Sequence, residues 1–96
     1  MFRLFFSQLF LRKEKKLTQQ NKILKTQVNN TIEKLSQDPR NPTLKSHKIT
    51  RKNGNNAFSS LVSGDIRIIW EYRNNEAFIL DILDIGGHSG GKKVYN

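Results

Sequence analysis

The chain of 96 residues has no cysteine, two prolines, one methionine and one tryptophan, and each scarcity closes off a class of protein. Without cysteine there is no disulfide framework, no thiolate metal site and no cysteine nucleophile. No apolar run is long enough to span a bilayer. The opening "MFRLFFSQLFLRK" has the look of a leader peptide, yet Arg3, Ser7 and Gln8 interrupt its apolar run and no small-residue cleavage site follows. These features together predict a soluble, cytoplasmic protein without a membrane partner. Acidic residues are also in short supply, 8 Asp and Glu against 17 Lys and Arg. The deficit is uneven: residues 1–52 hold 13 basic and 3 acidic side chains, residues 53–96 hold 4 and 5, so the halves carry +10 and −1. Such a field favours a polyanion or an acidic protein partner by counterion release and steering. The bland alternative, surface lysines that only maintain solubility, needs less charge than this.

At this length one domain, residues 1–96, with a modest core is the expectation. "FRLFF" reads as a short strand, and Ser7 after it as a helix N-cap. A first helix is predicted over about residues 8–19. Leu24, Val28, Thr31, Ile32 and Leu35 recur at offsets of three and four and form one apolar stripe on a second helix, about residues 21–36. "SQDPRNP" ends it, because the residue before a proline is biased away from helical dihedrals. Strands are expected near 44–50, 57–62, 65–72 and 77–83, with "NGNN" marking a hairpin. In "DIRIIWEY" the set Ile66, Ile68, Trp70 and Tyr72 forms an apolar face, and Arg67 belongs to the other. The order is β-α-α-β-β-β-β. Two helices laid on one face of such a sheet leave the Arg67 face as a partly open concave surface.

The two histidines, His47 and His88, fall at the start of one strand and just past another, on strands expected to neighbour that of Arg67. Imidazole exchanges protons near neutral pH. A facing histidine pair with an arginine between them suits RNA cleavage without a metal: a base takes the ribose 2′-hydroxyl proton, the oxygen attacks phosphorus, and an acid protonates the leaving 5′-oxygen. The same residues admit plainer readings. Two unlinked histidines can be ordinary surface residues, and a metal site with Asp81 or Asp84 finds no HxH or HExxH spacing in its favour. "GGHSGG" leads into no helix, so it lacks the context of a nucleotide-binding loop; its glycines let the backbone turn His88 back toward the sheet. The serines sit in no nucleophile elbow. Tyr95 is either a stacking platform for a base or an apolar plug.

Four pieces, "FSQLFLRKEKKL", "LSQDPRNPTLKSHKI", "SGDIRIIWEY" and "ILDIGGHSGGKKVY", give the whole chain a resemblance to the RelE/ParE superfamily of bacterial toxins, in its branch of RelE- and YafQ-like messenger-RNA interferases. The resemblance implies an α+β fold, two N-terminal helices on a small antiparallel-dominated sheet. It implies the toxin of a type II toxin–antitoxin system, an endoribonuclease that cleaves messenger RNA, often on the ribosome, leaving a 2′,3′-cyclic phosphate. A cognate acidic antitoxin is the expected partner, and no cofactor is called for. By position, Arg67 matches the family's phosphate-binding arginine, while His88 falls where YafQ-like members carry histidine and RelE-like ones arginine. His47 matches a YafQ-like histidine and Tyr95 the terminal tyrosine. Lys45, Lys48, Arg51 and Lys52 would contact RNA phosphates, with Lys92 and Lys93 near the chain end.

The chain also departs from the pattern. Ser59 and Ser60 stand where RelE-like members have lysines, so the lysine base is absent and His47 inherits that work, assisted by Lys45 or Lys48. Two other readings remain open: a ParE-type toxin that inhibits DNA gyrase and cleaves nothing, and a non-catalytic basic module binding RNA or protein.

Overall fold

The computed structural model describes residues 1–74 and 78–87. Their elements run β1 (Arg3–Phe6), α1 (Gln8–Thr18), α2 (Lys22–Gln37), a 3-10 turn (Pro42–Leu44), β2 (His47–Thr50), β3 (Asn56–Ser63), β4 (Ile66–Tyr72) and β5 (Ile79–Gly86). The fold is α+β in the expected order, with one five-stranded sheet ordered β1-β5-β4-β3-β2. Only the first and last strands run parallel; the other three pairs are antiparallel.

The helix limits follow from local chemistry. Ser7 Oγ accepts the Phe10 N–H at 2.9 Å, capping α1, and donates to the Leu83 carbonyl at 2.7 Å, which fixes the helix start to β5. Asn21 caps α2 by accepting the Leu24 N–H at 3.0 Å. Asp38, held extended with φ −159° before Pro39, ends it. The α2 stripe is buried as its spacing predicts: Val28, Thr31 and Leu35 pack inward, and the Thr31 hydroxyl also donates to Leu61 O on β3 at 3.3 Å. Phe10, Val28, Leu35, Ile68, Trp70, Leu80, Ile82 and Ile85 make the main core between helices and sheet. Trp70 stacks on Phe58 with ring centroids 4.8 Å apart, and Tyr72 meets both rings edge-on. On the other face Ile69 and Ala57 are fully buried beside Ile49 and Leu83, so the centre of that face is apolar as well.

Two strand limits and one strand adjacency differ from the sequence reading. The strand expected from residue 44 begins at His47, because Asn41 Oδ1 accepts the Thr43 N–H at 2.9 Å and Pro42 leads a 3-10 turn that closes with Lys45 in the left-handed region (φ 46°). The last strand reaches Gly86 rather than ending at 83, since Gly86 pairs with Arg67 across a register shift at Ile69/Trp70; residue 77, its expected start, lies outside the described residues. The strand of His47 is not next to that of Arg67. Two successive hairpins, β2–β3 and β3–β4, put β3 between them. The "NGNN" hairpin forms as expected: Gly54, at φ +83°, supplies the left-handed residue after a turn closed by Gly54 N–H to Arg51 O at 2.9 Å.

Trp70 Nε1–H donates to Ser60 Oγ at 2.7 Å in the buried core, and Ser60 Oγ shares a 2.6 Å hydrogen bond with Ser46 Oγ. Ser60→Ala strands the indole donor, so urea unfolding should show a loss of about 1–3 kcal/mol. A cycle with Trp70→Phe should return a coupling energy of about 1 kcal/mol; additive losses would show that the bond is not the source.

Candidate functional site

Arg67 sits on β4 opposite Leu61 of β3 and Gly86 of β5, on the sheet face away from the helices, because its neighbour Ile68 points into the main core. The side chain is half-buried and clamped. Its Nε–H donates to Ser59 Oγ at 2.7 Å, and Nη2 donates to Ser59 O at 2.8 Å and Lys45 O at 2.5 Å. All three acceptors are neutral oxygens. The ion pairs lie elsewhere, Lys13–Asp84 at 2.7 Å, Lys25–Glu14 at 2.5 Å and Arg73–Asp81 at 2.6 Å, and among the described residues no carboxylate pairs with Arg67. A cation held by dipoles keeps its charge available for an anion.

Ser59 joins the site residues of three strands. It pairs with His47 on β2 and with Ile69 on β4, and directly opposed residues share a face. His47 therefore stands on the Arg67 face, exposed at the sheet edge. Lys48, paired with Phe58, alternates to the helix side, so it does not share a face with His47. Lys45 contributes its carbonyl to the clamp while its residue stays exposed. Arg51, half-buried, and Lys52, exposed, belong to the hairpin turn beyond β2. His88, Lys92, Lys93 and Tyr95 lie outside the described residues.

The last described residue, Gly87, is held tightly: a Cβ there would come within 2.6 Å of Asp65 Oδ2 and 3.2 Å of the Asp65 carbonyl. Glycine is what lets β5 run past the β3–β4 turn at this distance, directly before the position of His88. Among the described residues there is no group of three or more His, Cys, Asp or Glu arranged to hold a metal ion, and no helix is long and apolar enough to cross a membrane.

Ser59 and Ser60, read from the sequence only as standing where RelE-like members have lysines, are hydrogen-bonding centres of the site and the core. Both are fully buried, on opposite faces of a central strand. Their signal was two consecutive hydroxyls inside an otherwise apolar strand, since a buried polar group must find a partner. Arg73 was missed. It lies 4.0 Å over the Phe5 ring while its guanidinium grips Asp81 through Nε and Nη2, tying β1, β4 and β5 together.

No family model and no curated protein sequence matches the chain. Solved structures do match over nearly its whole length. A YoeB/ParE toxin from Agrobacterium tumefaciens superposes with a TM-score of 0.74 at 10% identity, covering 91% of this chain and 99% of that one. The DinJ–YafQ complex of E. coli gives 0.71 at 14%, covering 92% and 94%. The heterotetrameric YoeB–YefM toxin–antitoxin complex from Staphylococcus aureus gives 0.64 at 17%, covering 93% and 99%. The chain thus has the fold of the RelE, YafQ, YoeB and ParE type of toxin, as the resemblance in its sequence implies.

Gly87→Ala should destabilise by about 1–3 kcal/mol through overpacking, read as a lower melting temperature. Asp65→Ala in the same chain should return part of that loss and not all of it, because the Asp65 carbonyl remains 3.2 Å from the new methyl.

Proposed function

We propose that the chain is the toxin of a type II toxin–antitoxin system, a metal-independent endoribonuclease acting in the cytoplasm on messenger RNA engaged by the ribosome. The observation that carries this reading is Arg67, a half-buried cation with neutral ligands on the sheet face away from the helices, which also carries the exposed His47. In the reaction His47 takes the proton of a ribose 2′-hydroxyl, and the freed oxygen attacks the adjacent phosphorus. The bond to the 5′-oxygen breaks, His88 delivers a proton to that oxygen, and a 2′,3′-cyclic phosphate remains. Arg67 opposes the extra charge on the phosphoryl oxygens. Lys45, Arg51 and Lys52 border this face and meet neighbouring phosphates, as do Lys92 and Lys93; Tyr95 stacks on a base. The alternation of β2 turns Lys48 away from His47, which leaves Lys45 as its helper.

An acidic antitoxin is the partner that the charge distribution favours, and the YoeB toxin of Staphylococcus aureus is a precedent for a complex of this kind. A cleft of about 510 Å³ between the start of α2 and the β3–β4 turn, with Ile23 74% exposed at its rim, offers such a partner an apolar foothold.

Primer extension on messenger RNA after brief induction tests the assignment. The wild type should produce discrete cuts. His88→Ala and His47→Ala should each slow cleavage by about 10²–10⁴ with RNA affinity nearly intact, the size of a lost proton transfer. Arg67→Ala should weaken both. A ParE-type toxin makes the opposite forecast: intact messenger RNA, inhibited DNA replication, and full toxicity in folded histidine variants.

A further inference from the structure

A guanidinium carries five N–H donors, one on Nε and two on each terminal nitrogen. In Arg67 three of them are committed: Nε–H to Ser59 Oγ at 2.7 Å, and the Nη2 pair to Ser59 O at 2.8 Å and Lys45 O at 2.5 Å. Both forks by which arginine makes bidentate contact with a phosphate draw on an Nη2 hydrogen, one with Nε and the other with Nη1. Both are therefore closed. The two Nη1 hydrogens make no hydrogen bond to a described residue.

We infer that Ser59 is a positioning residue which, with the Lys45 carbonyl, turns Arg67 so that its Nη1 end alone meets a phosphate; this rests on the nuclease reading for its substrate, though not for its geometry. Ser59 is fully buried, so it acts through Arg67 and not on a ligand directly. Lys45 reaches the clamp through its backbone, in a left-handed conformation (φ 46°, ψ 50°) that few residues other than glycine adopt. Strain of that kind at a candidate site is informative, because it persists only where the surroundings hold it. An arginine kept solely as an internal brace would be expected to meet a carboxylate, as Arg73 meets Asp81 at 2.6 Å. Arg67 instead has its orientation fixed by neutral oxygens and meets no carboxylate among the described residues.

The test uses the full chain, with uridine 3′-monophosphate as the probe and the side-chain Nε–H resonance of Arg67 as the local readout. In the wild type that proton should exchange slowly, and its signal should move on titration with the nucleotide. Ser59→Ala should speed its exchange and weaken nucleotide binding about tenfold, the size expected for losing a hydrogen bond to a charged group. Ser59→Thr, which keeps the hydroxyl, should restore both. Unchanged nucleotide affinity in Ser59→Ala, with only a lower melting temperature, would make Ser59 a structural residue and overturn the inference. So would a wild-type Arg67 Nε–H that exchanges as fast as that of an exposed arginine, or a wild type that does not bind the nucleotide; neither requires a variant to fold. If the nucleotide binds as described while the wild type leaves messenger RNA uncut, the nuclease reading fails and the positioning role stands.

Discussion

On β3 the hydroxyls of Ser59 and Ser60 are fully buried and, as neighbours in a strand, point to opposite sides of the sheet. Ser60 takes the indole N–H of Trp70 from the core side and shares a hydrogen bond with Ser46; Ser59 accepts from Arg67 on the side away from the helices, and Arg67 in turn donates to Lys45. The consecutive residues Lys45 and Ser46 are thus gripped from both faces of the sheet. An unpaired buried hydroxyl or indole N–H costs about 1–3 kcal/mol, so the pairing is strongly enforced. The segment that delivers the chain into His47 is fixed by core and site at once, and the edge strand β2, only four residues long, inherits a definite position from it.

That arrangement explains how serines can stand where the RelE-like pattern implies lysines. A lysine at either position would have to place an ammonium group in a fully buried location, where desolvation of the charge is costly without a partner. At position 59 it would also displace the acceptor that Arg67 uses. The ionisable groups of this face therefore stand on the neighbours of β3, Arg67 on β4 and His47 on the edge strand β2. β3 supplies the frame.

Much of the fold could be read from the sequence because its signals were local. Ser7 caps the helix that follows it, as its place after the first strand implies, and Asp38–Pro39 stops the second where the dihedral bias requires. The α2 stripe and the alternation around Arg67 gave the two faces correctly. What was not legible depends on pairings between distant residues. The 3-10 turn at Pro42–Leu44 wins over a longer β2 through the Asn41 side chain. The separation of β2 from β4 follows from strand order, which spacing alone does not specify. Buried serines look like surface serines until the strands on either side are known. Of the candidate site, the alternation put Arg67 on the face away from the helices, and the clamp by which Ser59 and Lys45 hold it was not foreseen.

The distribution of acids completes the electrostatic argument. Glu14 is joined to Lys25, holding α1 to α2; Asp84 is joined to Lys13, holding α1 to β5; Asp81 is joined to Arg73 within the sheet. These carboxylates are among only 8 acidic side chains in the chain, and each is used to fasten one element to another. The basic excess is therefore left to the surface and to Arg67, where neutral oxygens orient a cation without neutralising it. A fold that placed an acid beside Arg67 would gain an internal ion pair and neutralise the guanidinium. With Glu14, Asp81 and Asp84 committed to these pairs, the acids that fasten the frame are kept apart from Arg67, and among the described residues its orientation is set by neutral oxygens alone.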